Sequence, residues 1–307
     1  MTDAIAFLTD YLNAGLRLSV PLAYAALGGL LSERSGVLNI GLEGMLLTGA
    51  FMGAVGALAT GNVWFGVLLA AVGGSLVGLL HAYLCVSLRV NQLVSGLAIN
   101  LLAKGFTAYG ARLLFESGTV KLPSLNAINI PIVENIPLIG VLFQQGLMFY
   151  GLIALIIALT FMIFKTYWGL SLRAVGESPH AANAAGLSIA KVRYASVTAS
   201  GCLSGLGGAY LALVHVGFFT ENISAGKGFI ALAALIFGRW HPIYASLAAL
   251  LFGLTEALQL RVQALSFGIP YQFLAMLPYL VALFALIGFA GRSKPPAALG
   301  LPYPQEK

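Results

Sequence analysis

The sequence predicts an all-α, polytopic membrane protein, and three observations carry that prediction. Of 307 residues, 59% are hydrophobic and only 8% are charged, where a soluble domain carries about 25% charged residues. Apolar runs such as 65–80 and 147–164 recur along the whole chain and approach the roughly 20 residues that a bilayer crossing needs. The alternating pattern of barrel strands is absent, so helices are left as the way to satisfy the backbone in lipid. The 37 glycines suit close helix packing there.

Taken in order, the chain divides into about nine apolar segments (eight to ten), some of them interrupted: 12–32, 39–59, 63–86, 93–114, 146–164, 194–214, 228–240, 243–261 and 273–290. The opening MTDAIAFLTDYLNAG has Asp3 and Asp10 but no early cation and no small-residue cleavage site, so the first span is expected to stay in the mature chain. The stretch 116–145 contains three prolines and several turn residues, which makes it a long external loop rather than a span. Segment 228–240 is short enough to be a half-helix. Residues 1–292 form one transmembrane domain, and the Pro-rich tail 293–307 is expected to be disordered cytoplasmic chain.

Loop cations set the orientation. With the N-terminus outside, the inner connections hold Arg34, Arg89, Lys165, Arg173, Lys191, Arg193, Arg239, Arg292 and Lys294, and the outer ones Lys121, Lys227 and Arg261. The C-terminus then lies in the cytoplasm. The net charge of +6 reports this bias, not an affinity for nucleic acid. Cys85 and Cys202 fall inside apolar runs and read as buried thiols.

One polar stretch, GLSLRAVGESPHAANAAGL at 169–187, breaks the membrane pattern. Ser178 is placed to cap a helix, Pro179 suits its first position, HAANAA is helix-forming, and Gly186 is a natural stop. The result is a slim cytoplasmic helix of about two turns, too short to be stable alone. NIGLEGMLLTGA at 39–50 and ISAGKGFIALAA at 223–234 share a second pattern, polar and small residues followed by an apolar helix. Such a pair is what an inverted repeat around a mid-membrane path would leave in a sequence.

Three segments, ERSGVLNIGLEGMLLTGAF at 33–51, LRAVGESPHAANAAGLSI at 172–189 and GKGFIALAALIFGRWHP at 226–242, resemble the permeases of ABC importers. The resemblance runs from about residue 15 to 290 and is strongest to the nucleoside branch of the sugar, branched-chain amino-acid and nucleoside permease superfamily. It implies a coupling helix at about 177–186, with Arg173, Gly176, Glu177, Pro179, Ala182 and Gly186 at the contact with a cytoplasmic ATPase. It also implies a second permease (identical or homologous), an extracytoplasmic substrate-binding lipoprotein, and a location in the bacterial cytoplasmic membrane with membrane lipid around the chain. ATP would be used by the partner ATPase; this chain has no phosphate-binding GxxxxGK[ST] loop and is expected to bind no cofactor or metal.

Polar residues inside the membrane are functional candidates. Asn39, Glu43, Asn91, Asn100, Lys104, Glu256 and Gln259 are the candidates for the translocation path, because Asn and Gln donors and acceptors suit ribose hydroxyls and base edges. Glu43 fits two readings equally, a path-lining carboxylate or a structural charge tying a broken helix to a cation such as Arg34, Lys104 or Arg239. Phe218, Phe219, Trp240 and Tyr271 read as an interfacial aromatic belt, and His215 as a packed or interfacial histidine. A simple sugar such as a pentose is the alternative cargo, and a self-powered transporter or channel the alternative class. No HExxH, GxSxG or metal-spaced cluster supports an enzyme.

Overall fold

The computed structural model describes residues 2–115, 121–124, 140–264, 271–278, 280–281, 283–284 and 294–303. Its helices are α1 (Thr2–Arg34), α2 (Leu42–Thr60), α3 (Val63–Ala82), α4 (Gln92–Leu114), α5 (Leu147–Lys165), α6 (Tyr167–Glu177), α7 (Pro179–Ala184), α8 (Ile189–Tyr210), α9 (Lys227–Phe237), α10 (Pro242–Ala264) and α11 (Tyr271–Ala275). Wide π turns extend α3 through Ser87 and α8 through Val216.

Six of the described helices are long and apolar enough to cross a membrane: 7–34, 42–60, 63–87, 147–165, 189–216 and 242–264. The other three of the nine expected segments differ. The 23-residue α4 carries Asn100, Lys104 and Arg112 and is not among the six. The helix α9 has 11 residues, as expected of a half-helix. Segment 273–290 falls only partly within the described residues, as does the loop 116–145.

The helices α1, α2 and α8 form the centre; 83%, 78% and 72% of their most apolar stretches are buried, against 28% for α3 and α5 and 33% for α10. What lets α8 pack closely on both α2 and α3 is the absence of side chains where they cross. A Cβ at Gly201 would lie 2.1 Å from the Gly74 carbonyl oxygen, one at Gly205 2.3 Å from that of Ala70, and one at Gly208 2.1 Å from that of Leu46. One glycine face of α8 thus meets the backbones of both α3 and α2. Because the obstructing atoms are backbone, neither partner can yield locally. Gly201→Val is expected to lower stability by more than about 3 kcal/mol, beyond ordinary overpacking. An unchanged melting temperature in detergent would refute this crossing.

Beside the middle of α2 and the end of α4, Phe51, Phe115 and Phe219 form an aromatic knot with ring centroids 5.5–6.1 Å apart. Phe219 and Trp240 are 2% and 4% exposed, so they belong to the core and not to an interfacial belt. Their burial follows from tertiary packing, which aromatic content alone does not reveal. Phe218 is exposed, and the Tyr271 side chain lies outside the described set.

Basic residues gather at one end. There Arg34 Nε donates to the Trp240 carbonyl at 2.9 Å, the Arg173 guanidinium lies 5.4 Å from the Phe164 ring centre, and Arg193 reaches the 35–36 turn. At the opposite end Asn13 bonds Gln145, and Arg112 pairs with Glu221 at 2.8 Å. That hydrogen bond holds the Glu221 carboxyl below its ordinary value. The C-terminal segment corrects the expectation of a disordered tail. Residues 294–303 pack on the basic end, with Ala298 5% exposed. Their main-chain donors reach carbonyls at Gly176 and Gly36, contacts too distant in sequence for the Pro-rich composition to foretell.

Candidate functional site

The irregular segment 35–41 enters the interior between α1 and α2, where unpaired backbone would be costly. Side chains from three helices satisfy it. Gln92 Oε1 accepts from the Leu38 amide at 2.6 Å, and His81 Nε2 bonds the Leu38 carbonyl at 3.0 Å. Asn100 Nδ2 donates to the Ile40 carbonyl at 3.0 Å, while its Oδ1 accepts from the Gly44 amide at 2.8 Å. Asn39 Nδ2 donates to Ser200 Oγ on α8 at 2.9 Å. His81 is completed by Ser95 at 2.9 Å. The sequence singles out Asn39 and Asn100 as separate path candidates, Asn39 paired with Glu43 and Asn100 with Lys104; the structure brings both to the 35–44 stretch. His81 was missed, although a histidine in the middle of an apolar run is itself a signal.

Glu43 opens α2 and is 1% exposed. Its Oε1 accepts from Ser224 Oγ at 2.6 Å and from the Gly226 amide at 2.8 Å; its Oε2 accepts from the Gly228 amide at 2.7 Å. All three donors lie at the start of α9, so one carboxylate caps a helix that has no cap of its own and sits at its positive end. Contact is so close that a Cβ at Gly228 would fall 2.3 Å from the Glu43 nitrogen. Of the two readings of Glu43, the geometry fits a structural charge at a broken helix, but its partners are a hydroxyl and two backbone amides and not Arg34, Lys104 or Arg239. It also brings the two similar segments, 39–50 and 223–234, face to face. From this junction α2 runs away from the basic end and α9 runs toward it.

Beside the junction, Lys227 Nζ pairs with Glu256 at 2.5 Å. Lys227 is 8% exposed. Glu256 stands one turn from Gln259 on α10, and Gln259 forms no hydrogen bond among the described residues. His215 lies within electrostatic reach of the pair, and of Arg17. Lys104 is elsewhere, exposed on the outer side of α4 among Leu101, Leu102 and Phe106. Asn91 is an exposed helix cap, accepting from the amides of Leu93 and Val94.

At the basic end α6 and α7 form an elbow. The sequence placed one helix here; the structure has two, because the chain breaks at Ser178. Ser178 makes no side-chain cap bond, contrary to expectation. Pro179 does start α7, and Gly186, at φ +85°, ends it with Leu187 N donating to the Ala182 carbonyl at 3.0 Å. A groove of about 420 Å³ between the two helices is lined by residues including Leu170, Ala174, Glu177, Ala181 and Ala185. Gly176 lets α6 abut α1, since a Cβ there would lie 2.1 Å from the Arg34 carbonyl oxygen. Ala182 faces inward with Val175 and Ile189, so the exposed slim face is made instead by Ala181, Ala184 and Ala185.

Residues 11–290 match the family described as "Branched-chain amino acid transport system / permease component". The chain is 40% identical to the guanosine ABC transporter permease protein NupQ of Bacillus subtilis, over 98% of both chains. It is 38% identical to the nucleoside ABC transporter permease protein NupC of Lactococcus lactis, over 94% of this chain and 95% of that one. It is 36% identical to the putative glucose ABC transporter permease protein TsgC13 of Haloferax volcanii, over 78% and 73%. These relatives are transport permeases, not enzymes. No solved structure matches the chain. The match over residues 11–290 and the two relatives matched nearly end to end place this chain in the branched-chain amino acid transport system permease component family of ABC transporter permeases.

Proposed function

We propose that this chain is a transmembrane subunit of an ATP-driven importer that forms a nucleoside path across the bacterial cytoplasmic membrane. A separate cytoplasmic ATPase would drive it through α7. The observation that carries this reading is the α6–α7 elbow. It presents a slim alanine face and an open groove at the end where the basic residues gather, which the positive-inside rule assigns to the cytoplasm. Arg173, Glu177, Pro179 and Gly186 shape that contact, while Gly176 and Ala182 seat the elbow on the bundle. The N-terminus is then outside and the C-terminus inside, with α4, α9 and segment 273–290 completing nine segments in or across the membrane. The antiparallel α2 and α9 support an inverted-repeat origin.

The family implies an ATPase and a substrate-binding protein as partners. A second permease is supported by Lys104. This cation is exposed about 18 Å along a helix of about 34 Å, where lipid would be hostile to it. The face bearing it therefore fits a partner permease or the aqueous path between the two. Of the polar groups described above, Glu256, Gln259, Lys227 and Lys104 are left to meet cargo, because Glu43 is engaged in the α2–α9 junction, Asn39 bonds Ser200, Asn100 braces Ile40 and Gly44, and Asn91 caps α4.

Nucleoside is favoured over sugar by the names of the two relatives matched nearly end to end; the glucose permease relative keeps a sugar as the second reading. Uptake of labelled guanosine by cells carrying the whole importer, challenged with uridine, adenosine and ribose, tests this directly. Competition by nucleosides but not ribose is the expected result, and the reverse would transfer the assignment to sugars. For coupling, Ala185→Trp is expected to abolish binding-protein-stimulated ATP hydrolysis while the permease still folds. Normal stimulation would defeat the α7 reading.

A further inference from the structure

Residues 294–303 touch three parts of the chain that are remote in sequence. The Ala298 amide donates to the Gly176 carbonyl at 2.9 Å, and that of Gly300 to the Gly36 carbonyl at 3.1 Å. The Ala297 amide donates to Glu177 Oε2 at 3.3 Å. The Tyr303 ring lies 5.1 Å from that of His180, on α7. Arg193, on α8, bridges the same layers: its Nε donates to the Ser35 carbonyl and its Nη1 to the Leu301 carbonyl, both at 3.2 Å.

Arg193 is 1% exposed and has no carboxylate partner among the described residues. A buried guanidinium is expensive unless its donors are used, and a planar fork is suited to holding two acceptors at once. Here both acceptors are backbone carbonyls of irregular chain, one in the 35–36 turn and one in the tail. Gly36 has φ +87°, and an added Cβ would lie 3.2 Å from the Ala298 carbonyl oxygen, so turn and tail are fitted closely to each other.

We propose that the C-terminal segment is a positioning strut for transport. It fastens the α6–α7 elbow to the 35–36 turn and, through Arg193, to α8, so that a displacement of α7 moves the bundle instead of being lost in the flanking turns. Two helical turns beyond Arg193, Ser200 holds Asn39, which places the strut in mechanical series with the loop that leads to Glu43 and the start of α9. The proposal rests on α7 being the contact for the ATPase.

The test uses the whole importer reconstituted in liposomes. One variant ends the chain after Ser293. The second, Gly300→Val, keeps the tail but forces a β-branched residue on a φ of +80°, and so decides the matter if the shortened chain does not assemble. Expected is wild-type co-purification of the ATPase and retained basal hydrolysis, with loss of both binding-protein-stimulated hydrolysis and uptake. A peptide of residues 291–307 added to the shortened complex should restore stimulation, which repair of mere instability would not achieve. Full stimulation and uptake in the tail variants overturns the strut, and so does loss of the ATPase itself, which would make the tail part of the docking surface. Ala185→Trp, assayed alongside, reports on α7 alone. Undiminished ATPase stimulation there defeats the α7 reading and the strut with it, whereas normal transport in the tail variants defeats only the strut.

Discussion

Glu43→Gln is expected to abolish uptake and to lower the stability of the permease by at least about 3 kcal/mol, the cost typical of breaking a buried charged network. The carboxylate accepts from a hydroxyl and two backbone amides, so it has donors on both oxygens. Glutamine keeps the shape but turns one oxygen into an NH₂ group, which would face an amide that also donates. Whichever way it flips, at least one backbone N–H at the start of α9 loses its acceptor in a site that is 1% exposed. An unsatisfied buried polar group alone costs about 1–3 kcal/mol, and the lost charge removes the favourable interaction with the helix dipole. The break would propagate, because α2 and α9 begin at this one point and no side chain of α9 caps its own N-terminus. Thermal unfolding of the purified protein in detergent measures the effect. A Glu43→Gln protein that melts with the wild type would show that the junction is held by other contacts.

How much of this was legible beforehand differs from element to element. Long apolar helices such as α5 were plain, because hydropathy is a local property and lipid makes it decisive. The stop at Gly186 and the start at Pro179 were also local and were read correctly. Of the three segments that carried the family resemblance, 172–189 and 226–242 both turn out to touch 33–51: Gly176 with Arg34, Trp240 with Arg34 and Gly228 with Glu43. A sequence shows that such motifs exist but not that they meet. The same limit explains the polar residues. Asn100 and Lys104 are one turn apart on α4, yet one is 5% exposed and braces α2 while the other points outward. Their fates depend on which side of α4 has a neighbour, and nothing local encodes that. The packed tail was illegible for the opposite reason. Its composition resembles disordered chain, but main-chain hydrogen bonds hold most of it, and these depend on backbone geometry more than on residue type.

The pair Lys227–Glu256 permits a sharper separation of structure from transport than any single residue. Lys227→Met leaves Glu256 without its cation in a site where the two side chains are 10% and 23% exposed. Removing one partner of a buried pair typically costs about 3–5 kcal/mol, whereas replacing both by apolar residues is often neutral. Partial exposure of Glu256 moves the expectation toward the lower end. Lys227→Met and Glu256→Gln should therefore each destabilise by about 2–3 kcal/mol, and the double variant should recover most of the loss. The informative comparison is then with uptake. If the pair only secures the start of α9 against α10, transport returns with stability in the double variant. If the pair belongs to the path, as its position beside Gln259 supports, the double variant melts like the wild type but carries no nucleoside. Charge at this point would then serve the cargo, through ribose hydroxyls or base edges, while the fold is held by Glu43 at the amides on either side of Lys227. Recovered stability together with recovered uptake would remove Lys227 and Glu256 from the path and leave Lys104 and Gln259 as the groups to test next.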